Sequence, residues 1–460
     1  MAKLKRGQQI ELQIEKLTYG GRGLARTDGA VVFTPYTAPG DVVRARVDVA
    51  KSSYAEAWVE SLTKPSEDRI APRCNLFTRC GGCTWQHLPI EVQNHWKQEI
   101  VLEALYPLRK LQPEGFTLEP LEPSPQSFAY RNKMEFTFGQ TATDPTLKLG
   151  FHLPGNWKHI LDVTHCDLMP EPLNALLNFA REEGTRQGLD AWNPVRHEGT
   201  LRQLLIRWSE AEQKAIVAIL TGNRKGFNFE EFASRCMKAC PFVKGMAWGL
   251  NTQQSDVARP EEILAEAGEM TLLERLENKT FQVSLASFFQ TNTLGAERLY
   301  SVAREYLELT GRETLLDAYC GTGSIGIFCA DNAAHVYGIE IIREAIWDAR
   351  LNAERNGISH CTFMAGDMAD TLPVLKGHLQ KPLDRLVVDP PRAGMEKAAL
   401  QQLVNLRCPV LVYVSCNPTT MSRDLQVMLE AGYKLKKVRP VDMFPQTYHI
   451  ECVAQCVLES

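Results

Sequence analysis

The sequence predicts a multidomain α/β protein: a small N-terminal β-barrel, a central α+β region with a cysteine-rich loop, and a C-terminal open sheet of seven strands. Three observations carry this. Short alternating strands crowd the first 65 residues, as in small barrels. Three cysteines, Cys74, Cys80 and Cys83, fall within ten residues. Beyond residue 286, apolar strand-like runs alternate with helical stretches, the signature of βαβ units. The expected divisions are 1–65, 66–285 and 286–460.

Composition narrows the function. A chain of 460 residues buries enough surface for two or three cores. A net charge of -4 confines any nucleic-acid surface to a local patch. No apolar run reaches membrane-spanning length, and the basic, polar start lacks a signal-peptide core, so neither a membrane span nor secretion is expected. Thirteen cysteines, odd in number and unevenly spaced, argue for a reducing, cytoplasmic home. A monomer is expected.

In the first segment, Gln9 to Ile14, Ala30 to Phe33, Asp41 to Val49 and Ala55 to Leu62 read as strands. Tyr19-Gly20-Gly21-Arg22-Gly23 and Pro39-Gly40 read as turns. Through Leu17 to Gly23 and Pro39-Gly40-Asp41 the stretch resembles a TRAM domain, an OB-like RNA-binding module. Lys3, Lys5, Arg6, Arg22 and Arg26 with Tyr19 can grip phosphate and stack on a base. On charge alone a solvated face is the better reading.

Cys74, Cys80 and Cys83, with two glycines between the last pair, form a metal-ligand arrangement, and Cys166 is the best fourth ligand. Zinc sites usually pair two short Cys-x2-Cys knuckles; three plus one fits an iron–sulfur cluster better. Four ligands would close the cluster, so its reading is structural or RNA-positioning. Pro89 to Leu105 reads as a helix. Phe128-Ala129-Tyr130-Arg131-Asn132-Lys133 leads into a strand at Met134 to Phe138, where Arg131 and Lys133 beside aromatics can meet RNA. Residues 171–285 read as an α+β region that presents substrate, with helices at Glu171 to Gln187 and Phe229 to Lys238. Its strands are expected at Leu201 to Trp208, Lys214 to Leu220 and Gly245 to Asn251.

The C-terminal segment carries the chemistry. A helix, Thr293 to Leu309, precedes the strand Thr314 to Tyr319, which runs into Cys320-Gly321-Thr322-Gly323-Ser324. The glycines permit close approach of a ligand. Glu340, 19 residues after Gly321 at the next strand end, can hold ribose hydroxyls. Nicotinamide enzymes and S-adenosylmethionine-dependent methyltransferases share that pair. Three later features separate them. Asp367 follows Ala365-Gly366, where a residue can meet an adenine amino group. Asp389-Pro390-Pro391-Arg392 ends a strand, a mark of methyltransferases acting on nucleic-acid bases. Cys416 ends the strand Val410 to Ser415, and Asn417-Pro418 turns the chain directly after it. A buried structural cysteine is the plainer reading of Cys416; its place outside a strand's carboxyl end favours a nucleophile. Glu451, entering the last strand, suits a general base, with His449 as competitor.

With these motifs assembled, nearly the whole chain resembles the RNA uracil-5-methyltransferase family, which makes 5-methyluridine in ribosomal or transfer RNA. The motifs are the TRAM-like start, the four cysteines, Phe289-Gln290-x-Asn292, Asp317-x-Tyr319-Cys320-Gly321-x-Gly323, Asp389-Pro390-Pro391-Arg392, Ser415-Cys416-Asn417-Pro418 and His449-x-Glu451. The resemblance implies a Rossmann-like class I methyltransferase domain. It assigns Cys416 as nucleophile and Glu451 as general base. S-adenosyl-L-methionine would be held by Gln290, Tyr319, Ser324, Glu340, Asp367 and Asp389. The family often has Asn at the Ser324 and Asp367 positions. Cys74, Cys80, Cys83 and Cys166 resemble the ligands of a 4Fe-4S cluster. The resemblance implies 23S ribosomal RNA as substrate ahead of the transfer RNA T-loop. A nicotinamide oxidoreductase and a non-catalytic RNA-binding protein are the readings from other classes.

Overall fold

A computed structural model describes residues 4–459 except 28, 142, 194, 256 and 380, and leaves the side chain of Trp157 aside. Lys3, one of the basic residues named above, therefore lies outside the described residues. No helix among them is long and apolar enough to cross a membrane.

The N-terminal segment folds into one six-stranded sheet, ordered Gln9–Gln13, Val42–Ala50, Tyr54–Lys64, Ala30–Thr34, Gly23–Thr27, Lys16–Leu17. The Glu15 N–H donates to the Leu24 carbonyl at 2.8 Å, tying the chain beyond the first strand to Gly23–Thr27 and curling the sheet on itself. Leu12, Val32, Val43, Ala45, Val47, Ala55 and Ala57 fill the interior. Alternation at period two sends these residues inward and Arg44, Arg46 and Asp48 outward.

The middle sheet has seven strands, ordered Asn156–Asp162, Asp144–Leu153, Lys133–Thr141, Leu201–Ser209, Lys214–Thr221, Val243–Leu250, Glu262–Gly268. Leu201–Ser209 is buried at every residue because it is central and covered on both faces, so its apolar run shows no alternation. Helices Pro172–Arg186 and Phe229–Ala239 pack their apolar faces onto this sheet.

The C-terminal sheet runs Cys361–Ala365, His335–Glu340, Thr314–Ala318, Arg385–Val388, Val410–Ser415, Glu451–Leu458, Tyr433–Val441, Thr117–Leu118. The expected count of seven is thus corrected to eight. The additional two-residue strand comes from the middle segment. Tyr433–Val441 would otherwise be an open edge strand, and Thr117–Leu118 pairs with its outer side at Lys437 and Val438. Two further pieces from before residue 286 also serve this domain. Helix Ile90–Leu105 packs against helix Pro418–Glu430. The hairpin Thr271–Leu276 and Lys279–Ser284 contributes Leu276, Phe281 and Val283 to the C-terminal core.

Candidate functional site

Strands 314–318, 335–340, 385–388 and 410–415 run parallel, so their carboxyl ends share one edge. Strand Glu451–Leu458 runs antiparallel to Val410–Ser415, with Ser415 opposite Cys452. Its first residue therefore stands where the cysteine strand finishes. Topology alone brings Tyr319, Glu340, Asp389, Cys416 and Glu451 to one edge.

The glycine loop is held in a narrow set of conformations. Tyr319, Gly321 and Gly323 have φ of 66°, 54° and 78°. A Cβ on Gly323 would stand 3.1 Å from side-chain atoms of Ala349, Ile327 and Phe363, so its positive φ calls for glycine and the neighbours leave little room for anything larger. Tyr319 is a non-glycine residue in the left-handed region, a strained position that functional sites tolerate. Asp317 anchors the loop, its Oδ2 accepting the Gly326 N–H at 2.8 Å. Glu340 accepts the Gly321 and Ile342 N–H groups at 3.2 and 2.9 Å, which fixes both oxygens and leaves them lone pairs for a ligand. Thr322 Oγ1 lies 3.4 Å from the Phe288 carbonyl and 3.5 Å from Ser324 Oγ, so the Gln290 loop abuts the glycine loop. Asp367 caps helix Met368–His378 by accepting the Ala369 N–H at 2.8 Å and stays exposed. It acts electrostatically on the Tyr319 phenol.

The edge is rich in buried acid. Burial pushes the Asp317 carboxyl up to about 8 and Asp389 up to about 7. Glu451 is raised well above the carboxylate range by burial and then by Asp389. Burial, followed by Glu451 and Asp389, pushes the Cys416 thiol up to about 12, against the lowering effect of Arg392. His449 falls to about 4 because it is desolvated and faces Arg392, Lys97 and Arg131; its ring packs 4.2 Å from that of Tyr448. At neutral pH it is uncharged and a weak base.

The turn after Cys416 is tightly specified. Ser415 Oγ accepts the Asn417 N–H at 3.1 Å. Asn417 caps helix Pro418–Glu430 through the Thr419 N–H and donates to the Arg392 carbonyl at 3.2 Å. The loop 442–450 is anchored from beneath by a fully buried ion pair, Lys97 Nζ to Asp442 Oδ1 at 2.5 Å.

The N-terminal barrel reaches this site. Arg392 donates to Tyr19 Oη at 3.4 Å and to Tyr448 Oη at 3.3 Å. Tyr19 and Tyr448 meet edge to face, centroids 5.8 Å apart at 86°. Sequence reasoning gave Tyr19 to RNA stacking and passed over Tyr448 and Tyr300. Tyr300 is buried on helix Thr293–Leu307, where its phenol meets Ser324 and feels Asp389, Asp317 and Glu451. Its burial on a regular helix gave no signal in the sequence.

Cys74, Cys80, Cys83 and Cys166 line a single cavity of about 370 Å³, together with Gln86, Arg131, Lys133 and Asp167. Gln86 Nε2 donates to Cys83 Sγ at 3.2 Å, and the Gly82 N–H to Cys80 Sγ at 3.4 Å. Among the described residues no three or more His, Cys, Asp or Glu side chains are grouped so as to hold a metal ion. The donor chemistry nonetheless suits a thiolate-bound cluster: four sulfurs face one cavity, with N–H groups directed at two of them. The segment after Cys166 is tied toward the Gln290 loop. Arg131 N–H donates to the Leu168 carbonyl at 2.8 Å, and Asn132 Nδ2 to the Gln290 carbonyl at 2.9 Å.

Comparison with known proteins agrees with this arrangement. Residues 270–458 match the family model of tRNA (uracil-5-)-methyltransferases, and residues 3–59 match the TRAM domain. A Clostridium tetani protein described as an uncharacterized RNA methyltransferase is 36% identical over 457 residues, covering 98% of each chain. Another, from Halalkalibacterium halodurans, is 34% identical over 459 residues, covering 100% of this chain and 99% of that one. The crystal structure of Pyrococcus abyssi tRNA (uracil-54, C5)-methyltransferase with S-adenosyl-L-homocysteine superposes with a TM-score of 0.78 at 27% identity. That superposition covers 97% of this chain and 100% of that one. The chain belongs to the RNA uracil-5-methyltransferase family.

Proposed function

We propose that this enzyme transfers a methyl group from S-adenosyl-L-methionine to carbon 5 of a uridine in 23S ribosomal RNA through a covalent bond to Cys416. The observation that carries this is the meeting of Cys416, Glu451 and Asp389 at one sheet edge, beside the glycine loop. The donor supplies an electrophilic methyl group on a positively charged sulfur. Gln290, Tyr319, Ser324, Glu340, Asp367 and Asp389 would bind it. Carbon 5 of uracil is a weak nucleophile. Addition of the Cys416 thiolate at carbon 6 makes carbon 5 enolate-like and able to take the methyl group. Glu451, in its ionised form, then removes the carbon 5 proton and becomes the neutral acid, and Cys416 leaves by elimination as thiolate with the ring restored. The uridine must leave its stack to reach this edge, at a cost of roughly a few kcal/mol.

Transfer RNA is the second reading, which the similarity to the archaeal uracil-54 enzyme favours. Methyl transfer from labelled donor to unmodified ribosomal and transfer RNA, with the modified base mapped, decides between them. Label at a position other than carbon 5 of uracil would overturn the reaction itself. The four cysteines would hold a 4Fe-4S cluster that shapes the adjoining RNA-facing segment, and brown, iron-containing protein from anaerobic purification is the expected result. Colourless protein with one zinc would refute that part. The division at 1–65, 66–285 and 286–460 belongs to the same proposal, with residues 90–118 and the hairpin 271–284 serving the C-terminal sheet. A cytoplasmic monomer is likewise proposed.

A further inference from the structure

We propose that Tyr19, in the N-terminal barrel, is a positioning residue of the methyl-transfer site: with Tyr448 it holds the Arg392 guanidinium beside Cys416. The inference rests on the reading of Cys416 as nucleophile and deepens it. Arg392 is fixed at both ends. Its carbonyl accepts from Asn417 Nδ2 at 3.2 Å and Thr420 Oγ1 at 3.3 Å, which ties its backbone to the cysteine turn. Its guanidinium donates to the two phenols at 3.4 and 3.3 Å. Among the described residues it forms no ion pair with a carboxylate, and although exposed it acts electrostatically on the Cys416 thiol.

Tyr19 is itself rigidly presented. The Thr18 N–H donates to the Arg22 carbonyl and the Gly21 N–H to that of Thr18, both at 2.9 Å. Trp85 Nε1 donates to the Gly21 carbonyl at 3.1 Å, clamping the turn to the loop after Cys83. A side chain on Gly21 would press 3.0 Å from the Tyr448 ring, so glycine at this point lets the barrel close on the site. The barrel thus supplies part of the active-site wall as well as an RNA-binding surface.

The groups facing Cys416 are Glu451 and Asp389, which oppose its ionisation, Arg392, which favours it, and Tyr19 and Cys452. Arg392 is the cation among them. Freed from the two phenols, the guanidinium can swing away from the thiol, which then faces two acids, so less thiolate forms at a given pH.

The test uses Tyr19→Phe, which keeps the ring and deletes only the acceptor, with Tyr448→Phe as the companion variant. Iodoacetamide labelling of the full-length protein at fixed pH, followed on the Cys416 peptide by mass spectrometry, reads thiolate content with neither RNA nor donor present. Each variant should label about three- to tenfold more slowly, equivalent to a rise in thiol pKa of roughly half to one unit. In turnover, kcat should fall by a similar factor while KM for RNA stays within about twofold. Raising the pH should restore the rate. Unchanged labelling, or a rise in RNA KM alone, would overturn the inference and leave Tyr19 an RNA contact. Because labelling needs no substrate, wild-type protein that labels normally yet never methylates uridine refutes the methyltransfer reading and leaves the Arg392 claim to be scored separately.

Discussion

Two regions of this molecule gather cysteine, and they are built in opposite ways. Around Cys416 the neighbours are buried acids that form no ion pair among the described residues: Asp389 and Glu451 are both raised above the carboxylate range. Around Cys74, Cys80, Cys83 and Cys166 the acids are neutralised. Asp167 pairs with Arg73 at 2.7 Å and Glu135 with Lys133 at 2.5 Å. What remains directed at those sulfurs is N–H groups. A thiol among free carboxyls has somewhere to send and receive protons. Burial also pushes the Cys83 thiol up to about 12 and Cys166 up to about 11, but the N–H donors at Cys80 and Cys83 work against that burial and favour a charged sulfur. The first environment suits covalent turnover and the second suits permanent ligation.

The sharpest way to break this contrast is to exchange the losses. Cys416→Ala should lower turnover by roughly a thousandfold or more without changing iron content or thermal stability, as removal of a nucleophile does. Glu451→Gln should let the adduct form and stop it from resolving, so an RNA–protein band should persist on denaturing gels. Cys83→Ser should do the reverse: iron content should collapse and the melting temperature should drop by several degrees. Methylation should fall only about tenfold, because Cys83 is not among the groups that act on Cys416. Equal losses of turnover from Cys416→Ala and Cys83→Ser at normal iron content would erase the distinction.

A smaller effect probes what holds the catalytic edge in place. Lys97→Met takes from buried Asp442 its ion-pair partner, and loss of one partner from such a pair costs ~3–5 kcal/mol. Asp442 Oδ2 already has no hydrogen-bond partner, so the carboxylate has little to fall back on. Denaturant midpoints should drop for the single variant and recover substantially in Lys97→Met combined with Asp442→Asn. A single variant as stable as wild type would show that loop 442–450 is anchored elsewhere.

Much of the architecture was legible because it is written locally. The strand Val410–Ser415 has the expected bounds, since an apolar run is ended by a residue pair that cannot continue it. Helices at 90–105, 172–186 and 229–239 fall within a residue or so of expectation. Gly23–Thr27, Asp144–Leu153 and Glu262–Gly268 were not foreseen: Glu262–Gly268 is exposed or half-buried throughout, and its Glu, Ala and Gly residues are poor strand formers. Nor was the eighth strand, because two residues carry no period. At the site, Glu340, Asp389, Cys416 and Glu451 stood out by their places at strand ends, whereas Gln290 and Ser324 came from the family resemblance alone. What was illegible was the company they keep. Tyr19 and Arg392 are separated by 373 positions, and local sequence chemistry says nothing about a contact made by the docking of one domain on another.

The acid cluster gives the finest test of the comparison. Asp389 in the fold keeps its proton up to about pH 7, whereas an ordinary aspartate has lost it by 3.8. Asp317 behaves likewise, up to about 8. Between those limits the folded state binds protons that the unfolded chain has released, so the ligand-free protein should lose stability as pH rises from about 4 toward 8. The cysteine cavity has no comparable run of raised carboxyls. A cationic sulfonium placed at this edge reverses the penalty, because ionised carboxylates then face a positive charge. S-adenosyl-L-homocysteine, which lacks that charge, gains nothing from their ionisation. The preference for S-adenosyl-L-methionine over its neutral product should therefore grow by roughly tenfold between pH 6 and pH 8.5, about one pKa unit of coupling. Asp389→Asn should flatten that rise while leaving affinity for the neutral product nearly unchanged. Calorimetric titration of both ligands across pH checks it: parallel curves for the two would mean that the buried acids do not face the donor's sulfur.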